Sequence, residues 1–315
     1  MSELPQKRGP GRPPSDRRHT KIERKGIQQT PEFPDNDIEF YSAQPGVFKK
    51  LFNLYKATNV PDIIISFELD KITFSANSYS EQNNYLTTID CTRAHRYYCR
   101  QPVRLQLGRE GAEGVINRID PKFFDSIRFI VKKFTLEVNN MIIMLSNPSL
   151  GAKSTHTLNL TSHTTNNNDN FNSLGNNSLS VDNFDESNYA LSFKFKRQEF
   201  KKYISDIDTI TSRLVIEKIE GYPLKFKYAN KSNVVSCVEV FEKDSEIDLK
   251  CDQSKKIIAT TVSIADIKPL SNAQIADSVT IYVDNKKKIL FLFNMDDAIV
   301  TRVLVAVDDY TSNNL

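Results

Sequence analysis

The sequence predicts an α+β fold of two pseudo-symmetric domains, each with helices laid on one face of antiparallel sheets. Three observations carry that expectation. One order of elements is written once in each half: an amphipathic helix, three short strands, a strand leading into a second helix, then further strands. Self-similarity of this kind decides an architecture before any motif does. A polar stretch, residues 162–188 with nine Asn among 27 positions, separates the two copies. The chain, 315 residues with 39% hydrophobic content, is long enough to bury two cores of ordinary domain size.

The first domain is expected over 38–161. Residues 44–58, QPGVFKKLFNLYKAT, place Phe48, Leu51, Phe52 and Tyr55 at i, i+3, i+4 and i+7, the spacing of a helix face that packs on a core. Lys49, Asn53 and Lys56 share another face with Lys50 beside it, and for one helix alone a solvated surface explains them. IIISFEL and KITFSAN read as a hairpin through Asp70, and NYLTTID as a third strand. After PVRLQL comes GREGAEGVINRI, a second helix with Ala112, Val115, Ile116 and Ile119 inward and Arg109 and Arg118 outward. Its two internal glycines weaken it. Strands near 126–132, 134–139 and 141–146 close the half.

The second domain, 189–308, repeats this order. FKRQEFKKYISDIDTI puts Phe200, Tyr203, Ile204 and Ile207 inward and Arg197, Lys201 and Lys202 elsewhere. SRLVIEKIEGYPLKFKYA is a hairpin with Glu220-Gly221 at its turn, and NVVSCVEV is the third strand. IIATTV leads into SIADIKPLSNAQIA, a helix that carries Pro269. SVTIYVDNKKKILFLFN turns at Asp284-Asn285, IVTRVLVAV is the last strand, and 309–315 form a short tail.

Charge is segregated along the chain. The whole carries +3, yet residues 1–26 hold eight Lys/Arg against three acids, a net +5, which leaves −2 on the remainder. Residues 1–37 form a tail too poor in apolar residues to fold alone. Its Gly11-Arg12-Pro13, in a basic Pro-rich frame, resembles an AT-hook, whose Arg enters a narrow A·T minor groove; Pro10 stands where the fuller motif has a second Arg. A nuclear-localisation signal or an electrostatic tether would use the same residues. The connector's few apolar residues, Phe171, Leu174, Leu179, Val181 and Phe184, suit either low-complexity drift or the cover of a binding groove.

Several functional classes find no support. No GxxxxGK[ST], HExxH or GxSxG motif occurs. His19, His95, His156 and His163 have no evident catalytic partners, and the acid pairs Asp206/Asp208 and Asp296/Asp297 sit at element ends, where solvated charge is ordinary. Cys91, Cys99, Cys237 and Cys251 form no CxxC pair, so reduced thiols are expected and neither zinc nor a disulfide framework. No enzyme activity, metal or cofactor is expected. No apolar run approaches the roughly 20 residues of a membrane helix, and the N-terminus is basic where a signal peptide would be apolar; an intracellular protein without membrane contact is the expectation.

FYSAQPGVFKKLFNLYKATN, IISFELDKITFSAN, RYYCRQPVRLQLG and KIIATTVSIADIKPLSNAQIADSVTIYVDNKKKILFLFN, in that order, resemble the proliferating cell nuclear antigen family of DNA sliding clamps. The resemblance runs from about Ile38 to Asp308. It implies a homotrimeric ring of two-domain subunits, with sheets outside and helices lining a hole for double-stranded DNA. It places Lys49, Lys50, Lys56 and Lys202 on the family's basic inner positions and Arg118 approximately so. Lys201 and Lys268 are shifted by a residue or more, and Arg197 shares the outward side of the third helix. Such lysines hold phosphates without reading bases. The resemblance further implies a pocket, covered by the connector, for a short apolar-aromatic peptide from a DNA polymerase or other clamp-binding protein. The matching residues are Asn77, Ser78, Tyr79, Leu304, Val305 and Ala306, with Val307 where the family has Pro. It implies a role as polymerase processivity factor in replication and repair, with a clamp loader among its partners. The expected place is the nucleus or another site of DNA replication, a viral compartment included. Rival readings are a monomeric processivity factor holding DNA on an open basic face, and an AT-hook architectural protein.

Overall fold

The computed structural model describes residues 26–79, 83–132, 138–162, 184–229, 236–241, 247–252, 254–273, 275–283 and 288–307. Arg12 and the basic tail, the connector residues Phe171, Leu174, Leu179 and Val181, the Asp284-Asn285 turn and the C-terminal tail lie outside them. In the first half the order is β1 (Asn36–Ser42), α1 (Pro45–Ala57), β2 (Asp62–Phe67), β3 (Lys71–Asn77), β4 (Asn84–Asp90), β5 (Arg96–Cys99), β6 (Val103–Gly108), α2 (Arg109–Ile116), β7 (Ser126–Lys132), β8 (Val138–Asn147) and β9 (Ala152–Ser162). In the second it is β10 (Leu191–Lys196), α3 (Arg197–Asp208), β11 (Arg213–Ile219), β12 (Leu224–Ala229), β13 (Ser236–Phe241), β14 (Lys250–Cys251), β15 (Ile257–Ser263), α4 (Ile264–Ala273), β16 (Ser278–Val283), β17 (Lys288–Asp296) and β18 (Ile299–Ala306). Among the described residues each half thus holds nine strands and two helices in one shared order.

The pairing repeats as faithfully as the order. β5-β1-β7-β8-β9 matches β14-β10-β16-β17-β18, and β6-β2-β3-β4 matches β15-β11-β12-β13, all antiparallel. One ladder joins the halves. β18 runs antiparallel to β4 from Ile299↔Ile89 to Leu304↔Asn84. Hydroxyls meet inside that seam, where Thr87 and Thr301 lie 2.9 Å apart with no exposure and Tyr55 donates to the Phe74 carbonyl at 3.0 Å. The Asp90 N–H donates to Ala298 O at one end of the seam, and Ala306 N–H to Asn83 Oδ1 at the other. Near the first of these ends Gly26 N–H donates to Ala94 O and Gln28 N–H to Tyr97 O, which pins the chain's entry beside β5.

The helices form where the spacing placed them. Pro45 opens α1, where its missing N–H costs nothing. Lys56 sits in the last turn against the helix dipole. Phe48, Leu51, Phe52 and Tyr55 are buried on the sheet, each contributing about 2 kcal/mol, and Phe40, Phe48 and Phe129 pack ring to ring at 5.0–5.6 Å. In the second core a different trio, Phe195, Phe226 and Phe241 of β10, β12 and β13, packs ring to ring at 5.0–5.9 Å. Leu54, absent from the expected face, is also fully buried, because α1 packs on α2 and, across the seam, on α4.

Two expectations need correction. Asn139-Asn140 do not divide two strands: β8 runs through them and its partner β9 closes the half, with Asn140 opposite Asn159. Asn is tolerated there because the position is exposed. The second helix stops at Ile116, short of the expected Ile119, as its two glycines suggest. Ala112 and Ile119 are buried as expected, whereas the side chains of Val115 and Ile116 lie outside those described.

Candidate functional site

Two surfaces carry the expected functional residues. The first is the helix side. α2 packs on α1, α1 on α4 and α4 on α3, so the expected DNA-facing residues other than Arg12 belong to one helical layer, with Arg118 in the turn just past the end of α2. Their electrostatics differ. Lys50 and Lys56 are exposed and Lys49 half-buried, and among the described residues no carboxylate lies within ion-pair distance of them. Lys268, by contrast, reaches Asp208 Oδ2 at 2.7 Å. Arg197 lies 3.8 Å from Asp277, and Arg109 pairs with Glu113 at 3.0 Å. Lys201, Lys202 and Arg118 are exposed. α3 balances Arg197, Lys201 and Lys202 with Glu199, Asp206 and Asp208, whereas α1 carries three lysines and no acid. The positive charge of the layer is therefore concentrated on α1.

The second surface is the outer face of the seam. Ser78 N–H donates to Asn83 O at 2.9 Å, Asn83 N–H to Ser78 Oγ at 3.1 Å and Asn84 Nδ2 to Asn77 Oδ1 at 2.9 Å. Asn83 then takes the Ala306 N–H and donates to Asp266 at 2.7 Å. Asn77, Ser78 and Ala306 thus meet at one end of the seam, with Tyr79 66% exposed beyond them. Leu304 and Val305 part company. Successive strand residues face opposite sides: Leu304 belongs to an outer cluster, while Val305 is fully buried in the main core. Val305 is therefore corrected from pocket residue to core residue.

Sequence reasoning missed most of that outer cluster. Tyr282, Leu290 and Leu304 form its floor, with Leu292, Phe184 and Tyr189 packed on them. Phe184, at the connector's end, meets Tyr282 edge-on at 5.3 Å, and the Arg302 guanidinium lies 5.2 Å from the Phe184 ring. Tyr282 donates to Glu186 Oε1 at 2.9 Å; burial, then this bond, pushes its pKa above the usual tyrosine value. The available signal was the outward phase of IVTRVLVA, which places Arg302 and Leu304 together on one face of a buried strand.

Other polar groups have structural partners. Ser154 Oγ and His156 Nε2 lie 2.8 Å apart, and His95 packs edge-on against Tyr41 at 5.8 Å. The Asp297 N–H donates to the Asp296 carboxylate at the tip between β17 and β18. Among the described residues no group of three His, Cys, Asp or Glu is placed to hold a metal, and no helix is long and apolar enough to cross a membrane.

No family model matches the chain. It is 27% identical over 310 residues to an uncharacterized protein of African swine fever virus from a Kenyan pig isolate, covering 94% of this chain and 96% of that one. Uncharacterized proteins from a Malawian tick isolate and from the Badajoz strain are also 27% identical, over 303 residues, at 92% and 94% coverage. Among solved structures it is similar to Proliferating Cellular Nuclear Antigen from Entamoeba histolytica, with a TM-score of 0.68 at 12% identity, over 87% of this chain and 99% of that one. The α+β architecture of two repeated domains, most of its strands antiparallel and its helices few, is accordingly the fold of Proliferating Cellular Nuclear Antigen.

Proposed function

We propose that the chain is a DNA sliding clamp: a non-catalytic processivity factor that closes as a homotrimer around double-stranded DNA and tethers a DNA polymerase and other clamp-binding proteins. One observation carries it. β4 and β18 already pair within the chain. Their counterparts in the repeat, β13 and β9, are left open among the described residues: there β13 pairs only with β12, and β9 meets β6 only at Leu105↔Ser162 and Gln106↔Thr161. Two long open edges are an aggregation liability unless something covers them. A second copy offering β13 to β9 repeats the seam, and repetition closes a ring when the rotation closes. On that ring α2 of one copy faces α3 of the next, as α1 faces α4 within the chain, and the lysines of α1 point into the hole. The tail and Arg12 add A·T-preferring contact outside it, and the outer cluster receives partner peptides. Replication sites, including the viral compartments that the organism of its relatives suggests, are the place for such a protein.

The test combines mass and topology. Native mass should correspond to three chains, and protein placed on circular DNA by a clamp loader should stay until the DNA is linearised, then slide off. A single-chain mass with equal retention on linear DNA favours a monomer on an open basic face. Loss of retention only on deletion of residues 1–26 favours an architectural role for the tail.

A further inference from the structure

We propose that Arg302 is the specificity residue of the outer-face partner site, and that it selects peptide segments carrying an Asp or Glu beside their apolar anchors. The inference rests on the partner-site reading of that face. Arg302 is only 8% exposed, and its Nε and Nη1 have no hydrogen-bond acceptor. It stands in register between Leu86 of β4 and Leu292 of β17, on the same outward phase as Leu304. Among the described residues no carboxylate pairs with it. Glu186, the acid of this cluster, is taken by the Tyr282 hydroxyl at 2.9 Å and lies 4.0 Å from Lys250.

A guanidinium in such a place is unfavourable unless a counter-charge arrives. Burial already draws its pKa below the ordinary arginine value. The Phe184 ring meets the charge through its π face but offers no acceptor for the N–H groups. An apolar side chain would have extended the patch of Leu290, Leu292 and Leu304 without that difficulty. The same face holds two further unmatched polar atoms, Ser75 Oγ and Thr88 Oγ1. Ser75 stands in line with Arg302 across Leu86, and Thr88 lies one diagonal step away. A backbone carbonyl would satisfy one N–H, but only a carboxylate also answers the charge. Leu290 and Leu304 are already covered by Phe184 and Tyr189, so the occupant implied is a partner peptide whose apolar residues take the place of those rings on the Leu304 patch and whose acid reaches Arg302.

The probe is a set of fluorescent 12-residue peptides with fixed aliphatic and aromatic anchors, in which a single Asp is walked through every other position against an Asn control. Binding to the full-length assembly is read by anisotropy, with Arg302→Gln and Arg302→Lys alongside and their folding checked by circular dichroism. At one position wild type should prefer Asp over Asn by at least about tenfold, the size of a charge-assisted hydrogen bond. That ratio should fall to near one in Arg302→Gln and to an intermediate value in Arg302→Lys, which keeps the charge without the planar fork. Asn peptides that bind wild type with no Asp preference anywhere overturn the role of Arg302 while leaving the partner site intact. An Asp preference that survives Arg302→Gln overturns it too, because the acid is then read elsewhere. Failure of every peptide to bind folded wild type removes the partner-site reading itself, and this inference with it.

Discussion

Replacing Lys49, Lys50 and Lys56 together by alanine takes the helical layer from net +3 to zero, since α3 and α4 each balance their charges and α2 does so with Arg118. If those lysines hold phosphates, each lost contact lowers the slope of log affinity against log salt by about 0.9, or by about 2.7 for three. Between roughly 50 and 200 mM salt that removes about a 40-fold share of the fall in affinity. Anisotropy on a short duplex, titrated with salt and using the full chain, measures the difference directly, because the basic tail contributes to both slopes and cancels. Lys268→Ala provides the contrast: its ammonium is already 2.7 Å from Asp208, so its slope should change by much less than one contact. Lys50 and Lys56 are exposed and Lys49 is half-buried, and Lys56 sits against the helix dipole, so the triple variant should melt within about 1 kcal/mol of wild type. An unchanged slope in the triple variant, or an equal change in Lys268→Ala, refutes the assignment of phosphate contact to α1.

Val238→Pro, which removes a donor and adds ring bulk on the open edge strand β13, should shift the native mass from three chains to one while far-ultraviolet circular dichroism stays native; a trimer that persists places the subunit contact elsewhere. Thr301→Val removes the 2.9 Å partner of the Thr87 hydroxyl in the seam and leaves it only the Tyr55 O–H donor at 3.3 Å; it should cost about 1 kcal/mol in denaturant unfolding, with Thr87→Val/Thr301→Val costing less than the two single changes together; strict additivity would mean that the hydroxyls do not interact. At Glu39 burial raises the carboxyl pKa, but the N–H groups of Glu32 and Phe33 at 2.7 and 3.0 Å, the Asn36 amide at 2.7 Å and Arg96 at 3.5 Å outweigh it and hold the pKa below its ordinary 4.5. Its stabilisation is therefore present above that value and lost as pH falls through the folded one, so Glu39→Gln should flatten the acid limb of the stability curve, and a limb as steep as wild type would show that other carboxylates set it.

The repeat was legible because period and order survive without sequence identity: FKKLFNLY and FKKYISDI each give a buried stripe, and hairpins follow both. What escaped was set by partners distant in the chain. Leu54 looks like a surface residue until α2 and, more than two hundred positions later in the chain, α4 pack on α1. Lys268 reads as a free cation until Asp208 is beside it. Val305 was grouped with Leu304 because collinear matching ignores the alternation of a strand, which sends one inward and the other outward. Arg302 was readable in principle, as a charge in the midst of IVTRVLVA, but its isolation depends on what stands across β4 and β17.

The seam also gives the molecule a head and a tail. The chain enters beside Ala94, next to the end of the seam where Asp90 meets Ala298, and β18 finishes at the opposite end, where Ala306 meets Asn83. Eight strand steps, from Ala298 to Ala306, separate those ends, about 27 Å at strand rise. A fluorophore attached ahead of Gly26 and another attached after Val307 therefore start from opposite ends of the seam, which on the proposed ring would be opposite rims. On DNA with one marked end, energy transfer from each would report which rim leads, and hence whether the protein is threaded in a single orientation.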